Sequence, residues 1–250
     1  MDMELYDISS QPGTFGFSAV APDDLPEEEY TIVDIVEDLS PSTEGSRTGM
    51  KKMKENIVEA CRKHPRSEKI ILRTVGFGSS IKELHGYKPL TEISDDEYKK
   101  ESSIGGSTAL YDATLNSICS CVNYAEMLDN SADIASNGII FIITDGMDNT
   151  SVNSPAAVLN KVREVRASEK LESIKIILIG IKDPGLSGTY QNTVTRALSE
   201  FQAEAELDQF VDAGDATPQR LAKLADFVSQ SISSQSQALG SGGPSQNLTF

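Results

Sequence analysis

The sequence has no tryptophan, two histidines and three cysteines. Cys61, Cys119 and Cys121 are odd in number and too few for a disulfide framework. Cys119 and Cys121 stand two apart in a stretch of helical spacing, where such positions point in different directions. His64 and His85 occupy unrelated contexts, so a thiolate–imidazole zinc centre is not expected. No apolar run reaches the roughly 18 residues that a membrane-spanning helix needs. The N-terminus is acidic and lacks the basic-then-apolar order of a secretory leader. These absences lead to the expectation of a soluble protein without a membrane span, in a reducing, cytoplasmic setting. In that setting the glycosylation tripeptide at Asn247, Leu248 and Thr249 stays unused.

Positive charge is also scarce. There are 22 Lys and Arg against 38 Asp and Glu, a formal net charge of -16. That excludes a broad basic face for nucleic acid and suits a cation or a basic partner better. The imbalance is local. Residues 1–29 hold Asp2, Glu4, Asp7, Asp23, Asp24, Glu27, Glu28 and Glu29 and no Lys or Arg, and residues 227–250 carry no charged side chain.

What is present is an alternation of strand and helix signals. Residues 1–29 read as an irregular acidic arm, punctuated by Pro12-Gly13 and by Pro22 and Pro26. Residues 30–38 (YTIVDIVED), 69–77 (KIILRTVGF), 138–146 (GIIFIITDG), 174–181 (IKIILIGI) and 208–214 (DQFVDAG) read as strands. Residues 81–87 and 88–93 are candidates for two short edge strands. Between them, apolar residues recur at helical spacing in 49–64, in the segment after Gly105-Gly106, and in 154–170, 193–205 and 217–233. Ser154-Pro155 and Thr217-Pro218 have the form of an N-cap followed by proline at the first helical position. Residues 130–137 read as a surface loop. The last residues, 237–250, are rich in Gly, Ser and Gln and read as disordered. Uninterrupted Val/Ile strands alternating with helices predict an α/β domain over residues 30–236, with a doubly wound, mostly parallel sheet covered by helices on both faces.

Ligand sites in such sheets lie outside the carboxyl ends of the strands. Asp38 and Asp145 both stand where an apolar strand ends. Asp38-x-Ser40-x-Ser42 puts a carboxylate and two hydroxyls on alternate positions of a turn, and Thr108 follows Gly105-Gly106 at a helix start. Together Asp38, Ser40, Ser42, Thr108 and Asp145 form a hard-oxygen set. Mg²⁺ suits such a set, and Mn²⁺ or Ca²⁺ could substitute. Taken singly, Ser40 and Ser42 also suit a turn cap and Thr108 a helix cap. The joint occurrence at three strand and helix junctions is what favours the metal. Asp112 and Asp148 read as residues that support these loops. Glu37 should face away from Asp38. Asp34, inside an apolar strand, needs a partner that the sequence does not name.

These three elements, in this order and over about residues 28–236, resemble the von Willebrand factor A domain family with a complete metal-ion-dependent adhesion site. The resemblance implies a Rossmann-like fold. It implies that Ser40, Ser42 and Thr108 coordinate through hydroxyls and that Asp38 and Asp145 act directly or through water. It also implies an open position for an Asp or Glu of a protein partner, often beside an ATPase or inside a multiprotein system. The chain's own acidic arm is a second candidate for that carboxylate. Pro41 departs from the family pattern, where glycine is frequent. The functional expectation is a non-enzymatic, metal-dependent protein-binding module. Two alternatives stand beside it: a metal-assisted hydrolase on the same fold, and a scaffold with a purely structural metal. Neither a phosphate-cradling Gly-rich loop with Lys-Ser/Thr nor a Gly-x-Ser-x-Gly elbow is present.

Overall fold

The computed structural model describes residues 3–6, 16–98, 106–168 and 170–241. They form one eight-stranded sheet in the order β1-β2-β5-β4-β3-β6-β7-β8. The strands are β1 (Met3–Tyr6), β2 (Phe17–Val20), β3 (Glu29–Asp38), β4 (Ile70–Phe77), β5 (Ile81–Pro89), β6 (Ala135–Thr144), β7 (Ser173–Ile181) and β8 (Gln209–Gly214). From β4 to β8 the neighbours β4-β3-β6-β7-β8 are all parallel, β5 runs antiparallel to β4, β2 parallel to β5, and β1 antiparallel to β2. The helices are α1 (Arg47–Lys63), α2 (Asp95–Tyr98), α3 (Leu110–Ala132), α4 (Pro155–Ala167), α5 (Gly188–Glu204) and α6 (Pro218–Ser241).

The two-residue period of a strand divides the central apolar runs between two cores. Ile32, Val36, Ile140, Ile142, Ile176 and Leu178 face one core, with α3, α4 and α5. Val33, Ile35, Ile139, Phe141, Ile143, Ile177 and Ile179 face the other, with α1 and α6. Both faces are therefore covered, as the sequence pattern predicts for a doubly wound sheet.

The acidic N-terminal segment departs from the expectation of an irregular arm. Phe17, Ala19, Val20 and Leu25 are buried, and Val20 O accepts from Tyr124 Oη at 2.9 Å. Phe17 packs edge-on against Tyr87 and Tyr124, with centroids 5.6 and 6.1 Å away. Four residues are too short a run to signal a strand by pattern alone. Residues 81–93 form one irregular strand followed by a 3-10 turn, Leu90–Glu92, instead of two short strands. The expected loop at 130–137 shrinks to two residues, because α3 runs to Ala132 and β6 starts at Ala135. Helix α6 continues into the Gly/Ser/Gln-rich tail as far as Ser241, and residues 242–250 lie outside the described part.

The two acidic residues that interrupt β3 are both answered by cations. Even-numbered Asp34 faces α3. Its Oδ2 accepts from Tyr87 Oη at 2.9 Å and stands 3.5 Å from Arg73 Nη1. Arg73 also bonds Glu83 through Nε at 2.7 Å and lies over the Tyr87 ring. Odd-numbered Glu37 faces α1 and forms a buried ion pair with Lys54 at 2.5 Å. Glu37 thus points away from Asp38 as its alternation requires, into a salt bridge.

Candidate functional site

Four of the expected site residues lie at the carboxyl edge of the sheet. Asp38 is the last residue of β3, and Asp145 directly follows β6, the strand beside it. Thr108 precedes α3, and Ser40 stands in the turn after β3. Asp38, Ser40, Thr108 and Asp145 are all buried. The backbone of Ser42 belongs to the 3-10 turn Pro41–Glu44, while its side chain lies outside the described part of the structure.

Hydrogen bonds hold the two carboxylates in place. Asp38 Oδ1 accepts from the Ser40 N–H at 2.9 Å, and Asp38 Oδ2 accepts from Thr144 Oγ1 at 2.7 Å. Thr144 therefore ties the end of β6 to the end of β3. Asp145 Oδ2 accepts a short hydrogen bond from Ser46 Oγ, so Ser46 makes no side-chain cap of α1. Asp145 Oδ1 is shielded from solvent and has no hydrogen-bond partner.

That arrangement is electrostatically uncomfortable for two anions. Burial pushes the Asp145 carboxyl up to about 6, opposed by the Ser46 bond and reinforced by the charges of Asp38 and Asp183. Burial likewise raises Asp38, against the bonds from Thr144 and Ser40. A buried carboxylate with a free oxygen and a like-charged neighbour is short of a counter-charge.

The third loop is woven to the second. Thr108 N–H donates to Asn149 Oδ1 at 2.7 Å, and Asn149 N–H donates back to Thr108 O at 3.0 Å. Asp112 accepts from the N–H groups of Val152 and Asn153, both at 2.9 Å. Asp148 accepts from the Tyr111 N–H at 3.2 Å and from Ser151. Asp112 and Asp148 thus act as loop supports, as their position in the sequence predicts. Thr108 is one residue short of capping α3, whose cap position is Ala109. Gly106 turns into this loop at φ 96°, where an added Cβ would come within 2.6 Å of Ser79 Oγ.

Residues without a motif complete the edge. Ser46, Thr144, Asn149 and Asp183 each make a contact that no spacing announces. Asn149 opens an Asn-Thr-Ser tripeptide, which says nothing of its bonds to Thr108, and only the strand register brings Thr144 beside Asp38. Two clefts open here, one lined by Asp145, Asp183, Leu186 and Tyr190 among others, the second by Gly45, Ser46, Lys52, Lys182 and Asp215.

Glu4, Glu27 and Glu29 of the acidic N-terminal segment are not part of the edge. Glu4 lies on β1, four strands from β3 in the sheet order, which is roughly 19 Å at the usual spacing between strands. Its carboxylate accepts from Tyr6 Oη at 2.6 Å. Glu27 and Glu29 lie at the opposite end of β3, paired with Lys69, and Glu29 also with Arg66. Asp2 and Asp7 lie outside the described residues. Of the arm residues expected to reach the site, Glu4 is thus placed away from it within its own chain, and Glu27 and Glu29 lie at the far end of β3, as expected.

The donor set passes a chemical test for a hard cation, since the free Asp145 oxygen and two crowded carboxylates are what such an ion would satisfy. Among the described residues no three His, Cys, Asp or Glu side chains gather as a metal-binding group. The candidate set has two carboxylates and draws its remaining oxygens from hydroxyls.

No protein-family model and no curated protein matches this sequence. Solved structures do. A variant of the PilB minor pilin from Streptococcus sanguinis aligns with a TM-score of 0.57 at 14% identity, over 89% of this chain and 65% of that one. A von Willebrand factor type A structure from Catenulispora acidiphila aligns with a TM-score of 0.51 at 13% identity, over 86% of this chain and 44% of that one. The pilus adhesin SpaC from Lactobacillus rhamnosus GG aligns with a TM-score of 0.51 at 10% identity, over 91% of this chain and 34% of that one. This chain spans less than two thirds of the length of each of them. At such identities the likeness is one of fold: the chain has a von Willebrand factor A-like, doubly wound α/β fold.

Proposed function

We propose that this chain is a protein-binding module that holds a Mg²⁺ ion at the carboxyl edge of its sheet and offers it to an Asp or Glu of a partner protein. Asp38 and Asp145 offset the cation's charge, and Ser40, Ser42 and Thr108 supply neutral oxygens. Thr144 and Ser46 orient the two carboxylates through the bonds described above. The ion supplies a Lewis-acidic position that accepts an external carboxylate. Mn²⁺ or Ca²⁺ would serve in the same donor set.

The observation that carries this reading is the buried, unpartnered Asp145 Oδ1 beside Asp38, on two adjacent strand ends. The surroundings support a protein partner. Val152, Leu186 and Tyr190 are exposed large apolar side chains, and all three lie in the loops or first helical turn of this edge. Such exposed apolar groups around a polar centre are typical of interaction surfaces.

A hydrolytic reading finds less support. His85 lies within β5, bonded to Thr74 at 2.9 Å, and burial lowers it to about 4. His64 follows α1 and contacts Ser233 of α6 at 2.9 Å. Neither is placed to activate water at Asp38 or Asp145. A cytoplasmic setting is supported by the three cysteines, which are buried free thiols. Among the described residues no helix is long and apolar enough to cross a membrane.

Isothermal titration with Mg²⁺ or Mn²⁺ tests the site. Asp38→Ala should abolish binding, because no hydroxyl replaces the lost charge; equal affinity in both proteins would remove the metal from the proposal. A pull-down from the native cell, repeated with EDTA, tests the partner. Captured proteins that persist unchanged in EDTA would point to a scaffold whose ion is structural.

A further inference from the structure

Asp183, in the loop after β7, has no place in the five-residue set. Its position is nevertheless built. Its Oδ1 accepts from the Gly185 N–H at 2.7 Å, and its carbonyl accepts from the Leu186 N–H at 3.1 Å. The carboxylate lies against the bare backbone of Gly45, so that a Cβ at position 45 would collide with all three atoms of the carboxylate. Gly45 has φ -73° and ψ -29°, a conformation open to any residue. Glycine is needed there for space, not for backbone freedom. The next residue, Ser46, donates to Asp145, whose other oxygen is buried and unpartnered. Asp183 and Asp145 line the same cleft.

We propose, resting on the metal reading above, that Asp183 is a further member of this site: an electrostatic residue, seated by Gly45, that strengthens cation binding and disfavours an incoming carboxylate. It acts without being a ligand, its Oδ1 being engaged by the Gly185 N–H. Its action is through space. A fixed negative charge near a partly buried cation favours the ion by Coulomb attraction and repels the anion that the ion would otherwise recruit. The site is thereby tuned toward keeping its metal, and a partner must bring more than one carboxylate's attraction to bind.

Titration calorimetry with Mn²⁺ alone tests this on the full chain. Asp183→Asn keeps an oxygen for the Gly185 N–H and removes the charge, and should weaken Mn²⁺ binding roughly threefold to tenfold. Gly45→Ala leaves the charge in the protein but displaces it, and should weaken binding in the same direction. In the Asp183→Asn background, Gly45→Ala should have no further effect. Asp215→Asn, which removes an exposed charge at the neighbouring cleft, is the control and should stay within about twofold. Metal-free melting temperatures should not fall in Asp183→Asn, because a repelling neighbour of Asp145 has gone. If Asp183→Asn matches the Asp215→Asn control, or if Gly45→Ala binds as wild type, the role of Asp183 is overturned while the metal site stands. If the wild type binds no Mn²⁺, the metal reading fails and this inference with it.

Discussion

A carboxylate in the middle of an apolar strand must be paired or protonated. Asp34 sits between these outcomes. Its ion pair with Arg73 and its bond from Tyr87 favour the charged form, yet burial dominates and pushes the carboxyl up to about 6. Its Oδ1 and Arg73 Nη1 remain without hydrogen-bond partners. In the unfolded chain the same group titrates near roughly 4. Between those values the folded chain binds more protons than the unfolded one. The contribution of Asp34 to stability therefore declines as pH rises from about 4 to about 6, and is level outside that window. Asp34→Asn removes the titration. Denaturant midpoints of both proteins across the window should show the wild type losing stability relative to the variant as pH rises. An offset that stays constant with pH would contradict the burial argument. The Glu37–Lys54 pair poses the same problem of buried charge on the opposite face of β3, where direct contact at 2.5 Å resolves it.

At the scale of elements, the ends of strands and helices set where chemistry can occur. Helix α3 carries Asp112 in its first turn and stops two residues before β6. The stop is made by Asp133 at φ 53°, whose N–H donates to Asp129 O at 2.9 Å, while the Ile134 N–H donates to Leu128 O at 3.1 Å. This left-handed cap is normally the place of glycine. An aspartate there carries backbone strain, and its negative charge also opposes the helix dipole. Asp133→Gly should stabilise the protein by about 1 kcal/mol, read as a higher urea midpoint with an unchanged slope. A lower midpoint would mean that the Asp133 side chain contributes more than its strain costs. The end of α3 was hard to place from sequence for a related reason. Residues 130–137 are mostly polar, and no glycine or proline among them marks the boundary.

At the scale of the molecule, Met3–Tyr6 and Phe17–Val20 of the N-terminal segment are part of the sheet. Phe17 and Val20 are 1% exposed and cover Tyr87 and Tyr124 of the core on the α3 side. Glu83 clamps the segment as well, accepting from Ser18 N–H at 3.0 Å and from Ser18 Oγ at 2.5 Å. Deleting residues 1–21 should destabilise the protein by about 3 kcal/mol or more, the usual loss for removing one buried Phe. Phe17→Ala should account for much of that loss. Both are measured as urea midpoints against the full chain. A deletion that leaves the midpoint unchanged would return these residues to the status of a solvated acidic tail.

The sequence by itself determined the layered α/β architecture. Runs such as IIFIIT and KIILIGI can be satisfied only by burial on both faces, and burial on both faces calls for helices between parallel strands. It also determined that Asp38 and Asp145 end strands, because an apolar run stops visibly at each. Only the tertiary structure decided which strand ends are neighbours. Nothing local to Thr144 says that it will bond Asp38, or that Ser46 will bond Asp145, since these pairs are 106 and 99 residues apart. The same holds for Asp34 with Tyr87 and for Asp183 against Gly45. Strand order and register bring these groups together, and both follow from how the whole apolar surface is buried, which no short stretch of sequence encodes.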